Sequence, residues 1–110
     1  MTRLFFADDN VKKAYNKLQN SEFRDLYKHL SRAFKEIEKN PYGSGITIPK
    51  KLIPDIYIKK YGVKRLFKYD LPSGWRLLYT VGQQGVEVIA IILEWMRHKD
   101  YERRFGYRSG

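Results

Sequence analysis

Three strand-like runs, 64–71, 75–81 and 86–95, follow one another with only Pro72-Ser73-Gly74 and Gly82-Gln83-Gln84-Gly85 between them. Connections this short join antiparallel neighbours, so the second half of the chain is committed to a meander of three adjacent strands. Pro72 suits the first central position of a type I turn and Gly74 the left-handed position after it, which sets Leu71 opposite Trp75. In that register Asp70 faces Arg76 and Lys68 faces Leu78. Lys64, Lys68, Asp70 and Arg76 then share one side of the sheet, while Arg65, Phe67, Tyr69, Leu71, Trp75, Leu77, Tyr79 and Val81 share the other. The aromatic side is expected to pack on a core, and the charged side to stay a shallow open surface.

The first half supplies what covers the aromatic side. Residues 3–7 (RLFFA) read as a first strand, and Asp8, Asp9 and Asn10 as a cap leading into a helix over 10–19, where Val11, Ala14, Tyr15 and Leu18 recur at helical spacing. Asn20 and Ser21 break it, with Ser21 as the expected cap of a second helix that ends at Asn40-Pro41. Phe23, Leu26, Tyr27, Leu30, Phe34 and Ile37 form its apolar stripe. Between Tyr42 and Val63, Gly43, Gly45, Pro49 and Pro54 limit regular structure, and residues 55–61 read as a helical turn stopped by Gly62. The tail from Met96 reads as a short helix or an ordered arm. The expected fold is α+β: one domain over residues 1–110, with an N-terminal strand and a two-helix hairpin packed on an antiparallel sheet of about four strands.

Charge narrows the class of partner. Lys and Arg number 22 against 12 Asp and Glu, a net +10. Residues 1–49 carry nine cations against six carboxylates and residues 50–110 carry thirteen against six, so the excess lies with the meander and tail. An acidic partner is expected: nucleic acid, an acidic protein or an anionic surface. With no cysteine and two histidines, thiolate and His-rich metal sites are not expected, and neither is a bound cofactor. No apolar run reaches membrane-spanning length and the N-terminus is too polar for a secretory signal, which points to the cytoplasm and to no membrane partner.

Arg76 stands alone as a cation between Trp75 and Leu77-Leu78-Tyr79, and a lone cation in a core-packing strand is either paired or aimed at an anion. The segment GWRLLYTV, the hydrophobic strand after it and HKDY at residues 98–101, in the order strand, two helices, three antiparallel strands and basic tail, resemble the RelE/ParE toxin superfamily over nearly the whole chain. The resemblance implies a type II toxin-antitoxin toxin. Such a protein is either an endoribonuclease (mRNA interferase) acting on mRNA at the ribosome or a gyrase inhibitor of the ParE kind, and a cognate antitoxin protein neutralises it. It also implies that Arg76 contacts the scissile phosphate, that Lys68 is one of two basic residues on the preceding strand, and that His98, Asp100 and Tyr101 match the tail segment. The second basic position falls on Asp70, a departure from the family's pattern.

The chemistry open to such groups is metal-free RNA cleavage, in which a 2′-hydroxyl attacks the adjacent phosphate, a base takes its proton and cations hold the phosphoryl oxygens. Arg76 and Lys68 are assigned to the phosphate, His98 to proton transfer, and Tyr101 to base stacking or a proton relay. Lys64, Arg97, Lys99, Arg103 and Arg104 are assigned to the RNA backbone, where contacts are salt-dependent. Each assignment has a plainer rival: Arg76 pairing with Asp70 across the hairpin, His98 as an inert surface histidine, Lys64 with Lys50, Lys51, Lys59 and Lys60 as a solvated face, and Arg103, Arg104 and Arg108 as solubilising charge. The alternative function is a non-catalytic module, a gyrase-type inhibitor or a degenerate nucleic-acid or partner binder. The nuclease expectation needs both cations on one uncovered side with the position between them vacant.

Overall fold

The computed structural model describes residues 2–106. Its elements run β1 (Thr2–Phe6), α1 (Asp9–Leu18), α2 (Arg24–Lys39), β2 (Ile46–Ile48), α3 (Asp55–Tyr61), β3 (Leu66–Asp70), β4 (Trp75–Gln84), β5 (Glu87–Arg97) and α4 (His98–Phe105). The α+β class is as expected, but the sheet has five strands in the order β1-β5-β4-β3-β2, and it is mixed: β1 lies parallel to β5. Two physical reasons separate this from the expected antiparallel sheet of about four strands. The orientation of β1 is set by a partner more than eighty residues away in sequence, which no local pattern carries. β2 is only three residues, too short to show alternation, and pairs with β3 through Ile46, Thr47 and Ile48 as an edge strand.

The hairpin register is as the turn residues dictate: Lys68 pairs with Leu78 and Asp70 with Arg76, closed by Leu71 N–H donating to the Trp75 carbonyl at 2.8 Å. The turn differs in one respect. Ser73 as well as Gly74 is left-handed, at φ 63° and 80°, a conformation that costs a non-glycine residue about 1–2 kcal/mol. The second hairpin is tighter than expected. β4 continues to Gln84, which pairs with Glu87, leaving a two-residue loop of Gly85 and Val86. Gly85 at φ 63° gives the loop a twist that matches the strands, and Val86 at its tip is 95% exposed.

One side of the sheet carries the expected core. Leu26, Leu30, Ala33, Phe34 and Ile37 of α2 pack with Phe67, Leu77, Tyr79, Val81, Ala90 and Ile92, and Val11, Tyr15 and Leu18 of α1 close the edge. Aromatic rings knit the helices to β1: Tyr15 stacks on Tyr27 with centroids 4.6 Å apart, and Phe6 meets Phe34 edge-on at 5.7 Å. Asp8 caps α1 by accepting from Val11 N–H at 3.0 Å, and that backbone hydrogen bond holds its carboxyl below the usual range. Ser21 does not cap α2; its hydroxyl donates to the Leu18 carbonyl and accepts from Phe23 N–H, fastening the turn between the helices.

The other side is not the open charged surface that alternation suggested. Ile48, Ile53, Tyr57, Val63, Leu66, Leu78, Leu93, Met96 and Tyr101 form a second apolar cluster there. Leu66 and Leu78 are fully buried on the same side as Lys68 and Arg76. The Gly- and Pro-limited segment before β3 and the tail supply the cover, as α3 and α4, so the sheet lies between two helical layers. A bulge completes this side: Tyr79 pairs with Ile92 and Leu78 with Glu94, so Leu93 has no partner on β4. Among the described residues no helix is long and apolar enough to cross a membrane.

Gly45 is fixed by close approach, because a Cβ there would meet the Lys68 carbonyl and the Tyr79 hydroxyl at 2.7 Å each. The Tyr79 hydroxyl donates to the Pro41 carbonyl at 2.9 Å. Burial pushes the phenols of Tyr69 and Tyr79 up to about 12 and raises Tyr57 further; at Tyr69 the Glu36 carboxylate adds to the effect.

Two outcomes follow for stability. Replacing Ser73 with Gly relieves the left-handed serine and, set against the greater freedom of glycine in the unfolded chain, is expected to raise unfolding free energy by up to about 1 kcal/mol in urea titration; a loss would show that the serine is not strained. The tyrosines give a pH dependence of definite sign: their folded values lie above the ordinary phenol value, so their contribution is full below pH about 10 and falls as the unfolded chain ionises first. Tyr79→Phe is expected to cost about 1 kcal/mol at neutral pH through the lost hydrogen bond and to show a shallower decline from pH about 10 to 12; an unchanged slope would contradict it.

Candidate functional site

Among the described residues the cover on the second face stops short of the β3–β4 hairpin end, and there five charged or polar side chains meet. Lys68 and Asp70 sit two apart on β3 and so share a face, Arg76 lies opposite Asp70 on β4, and His98 and Glu102 are one helical turn apart on α4. Arg76 Nε lies 3.0 Å from Asp70 Oδ1, and Lys68 Nζ lies 3.4 Å from the same oxygen. An Arg76 terminal nitrogen is 3.1 Å from His98 Nδ1, its other terminal N–H donates to the Trp75 carbonyl at 3.2 Å, and His98 Nε2 is 3.1 Å from Glu102 Oε1. The result is a continuous line Lys68, Asp70, Arg76, His98, Glu102.

Donor and acceptor chemistry fixes the imidazole within that line. Guanidinium can only donate and an ionised carboxylate can only accept. His98 Nδ1 therefore presents its lone pair to Arg76, and Nε2 carries the proton that Glu102 accepts. The Arg76–Asp70 pair is an attraction of charges and not a directed bond: the buried Arg76 Nε lies within ion-pair distance but lacks a hydrogen-bond partner of proper geometry. Arg76 and Lys68 are the more buried members, with side chains 18% and 23% exposed, while Asp70 is 46% exposed. The two cations are the more enclosed groups, and the carboxylate between them is the more open to exchange with another anion.

The remaining sequence-assigned residues divide. Tyr101 belongs to the site only from below: it is buried, its ring stacks on Phe105 and lies 5.6 Å from Lys68 Nζ, so it supports the ammonium and offers no free face to a base. Arg97 does not join, because the bulge at Leu93 turns it to the side of α1 and α2, where its guanidinium lies 4.5 Å from the Trp75 ring. Arg104 is taken up by Glu94 at 2.8 Å and by the Tyr57 hydroxyl at 3.2 Å. Arg103 pairs loosely with Asp100 at 3.7 Å, and Lys64 and Lys99 are exposed. Arg108 lies outside the described residues. Glu102 was not singled out in the sequence, although its spacing of four from His98 becomes informative once the tail is known to be a helix.

A cavity of about 250 Å³ between α1, α3, α4 and β5 is separate from this cluster; several of its polar groups are engaged with one another, Tyr61 with Asp8 and Arg104 with Glu94 and Tyr57. Among the described residues no three His, Asp or Glu side chains gather into a metal-binding group. No family model, no curated protein and no solved structure matches the chain.

The arrangement makes Asp70 a competitor for any anion that seeks Lys68 and Arg76. Asp70→Asn is expected to tighten binding of inorganic pyrophosphate by about threefold to fivefold, the scale of one partly exposed ion pair, read from the side-chain NMR signals of Arg76 and His98. Weaker or unchanged binding would mean that Asp70 organises the cations for some other purpose.

Proposed function

We propose that the chain is a RelE-like toxin of a type II toxin-antitoxin system, a metal-free endoribonuclease that cleaves mRNA, with the ribosome and a cognate antitoxin as its partners in the cytoplasm. The observation that carries this reading is the convergence of Arg76, Lys68 and His98, from three separate elements, on the second face of the sheet. A phosphate entering between Lys68 and Arg76 replaces the Asp70 carboxylate. Its charge is then held by an ammonium and a guanidinium already beside it, which lowers the barrier because Arg76 has only to turn a terminal N–H from His98 to the phosphate. His98, at hydrogen-bond distance from Arg76, stands beside that phosphate and takes the proton of the attacking 2′-hydroxyl.

The position between the two cations is not vacant, as the sequence-based expectation required: Asp70 occupies it, so the nuclease reading now depends on substrate displacing that carboxylate. A partly exposed ion pair contributes about 0–1 kcal/mol, whereas RNA brings several phosphates to a chain with net charge +10. A second reading rests on the same carboxylate: a site satisfied by its own anion is also what a non-catalytic binder, gyrase inhibitor or degenerate family member would have. In that case the basic surface recruits a partner and the cluster is structural.

Primer extension on translated mRNA, run beside a gyrase supercoiling assay, separates the two. The wild type is expected to cut mRNA, and Arg76→Ala to remain folded by circular dichroism and to lose about 10²–10³-fold in cleavage rate, the usual loss on removing one charge-stabilising donor. Undiminished cleavage by Arg76→Ala overturns the nuclease reading. Inhibited supercoiling with intact mRNA selects the second.

A further inference from the structure

We propose that Glu102 is the positioning residue of His98, fixing the tautomer in which Nδ1 is the working proton acceptor. The inference rests on the nuclease reading for its kinetic part and on geometry alone for the rest. Both ring nitrogens of His98 are engaged, Nδ1 by Arg76 and Nε2 by Glu102, each at 3.1 Å. The two partners respond oppositely to an arriving phosphate. Arg76 is drawn to it, since a phosphate oxygen is an anionic acceptor and imidazole a neutral one. Glu102 is repelled by it and stays where α4 holds it, with its side chain 27% exposed against 53% for His98. Substrate binding therefore uncovers Nδ1 and leaves Nε2 occupied.

The reaction then balances as follows. The 2′-oxygen bonds to phosphorus as its proton passes to Nδ1, and the bond from phosphorus to the 5′-oxygen breaks. The leaving oxygen takes a proton from water, and the imidazolium, stabilised by the Glu102 carboxylate on its Nε2 side, returns its proton to solvent. A 2′,3′-cyclic phosphate and a 5′-hydroxyl end result. Asp100, at the first turn of α4, pairs with Arg103 and is not in this line. Glu102 touches no reacting atom, so its removal should alter the proton transfer and, by taking away a repelling charge, leave RNA binding no weaker.

The test uses the full chain in two arms. The ¹⁵N shifts of His98 are expected to report a bare Nδ1 and a protonated Nε2 in the neutral ring of the wild type. With inorganic pyrophosphate bound, so that Arg76 is drawn from Nδ1, Glu102→Gln should keep this state through its amide oxygen, and Glu102→Ala should let it mix with the other tautomer. In steady-state cleavage, Glu102→Ala should lower kcat about tenfold, part of the 10²–10⁴-fold a positioned base supplies, with KM no higher and Glu102→Gln recovering most of the rate. An Nδ1-protonated ring in the wild type overturns the inference whatever the cleavage data show, as does wild-type kcat in Glu102→Ala. If the wild type cuts no RNA, the nuclease reading fails and the shifts alone decide whether Glu102 sets the tautomer.

Discussion

The burial of Leu66 and Leu78 on the side of the sheet away from α1 and α2 is the constraint from which the rest follows. A three-strand meander with one apolar face could leave its other face in water. These two side chains, fully buried beside Lys68 and Arg76, require a second cover. Ile53, Tyr57 and Val63 from the segment before β3, and Tyr101 from the tail, provide it. Among the described residues the cover reaches only as far as Tyr101 and Met96, so the β3–β4 hairpin end is left accessible by them and its cations stand on an apolar floor. An ammonium and a guanidinium seated this way keep most of their stems out of water while their charged ends face it. The same packing that completes the fold therefore presents the cations in a fixed place.

That fixation explains the charge pattern of the cluster. Two cations a few ångströms apart and partly desolvated repel each other, and an anion between them is needed unless one swings away. Asp70 is that anion in the protein alone, reaching both cations with one oxygen. A carboxylate held only by charge, from the exposed end of a strand, is easier to replace than either cation. A substrate phosphate would do the same electrostatic job with more acceptor oxygens, so the resting state and a liganded state differ by the exchange of one anion for another.

How far the sequence revealed this depends on the range of the signal. Pro72, Ser73 and Gly74 are local, and they fix a register that puts Lys68, Asp70 and Arg76 on one face. The two amphipathic helices are equally legible from spacing. The second cover was not, because Ile53, Tyr57 and Val63 lie among prolines and glycines without a sustained period, and because strict alternation along 64–71 drew attention to Lys64 and Lys68 and away from Leu66 between them. The bulge at Leu93 is a tertiary feature. It inverts the faces of everything after it, which is why Arg97 ends over Trp75 and not beside Arg76. Tyr101 was drawn in by its chemistry, but its place was decided by helical phase: on α4 it lies on the buried side with Phe105, whereas His98 and Glu102 lie on the rim.

Counting charge in the cluster separates recognition from chemistry. Lys68 and Arg76 are balanced by Asp70 and Glu102, and His98 in the tautomer its neighbours impose is neutral, so the site contributes nothing to the net +10. The field that attracts a polyanion must come from elsewhere, from exposed cations such as Lys64, Lys99 and Arg103 and from the lysines around α3. Such a field acts over about a Debye length and is blunted by salt, while exchange of Asp70 for a phosphate is a contact event governed by hydrogen-bond geometry at two partly buried cations. Cations spread over the surface thus raise, on the nuclease reading, the rate of encounter without selecting a scissile bond, and the neutral cluster selects one without adding to non-specific attraction. On the nuclease reading, substitutions at the outlying lysines and within the cluster fall into different kinetic classes for that reason, the first acting on association and its salt dependence and the second on the step after the phosphate has displaced Asp70.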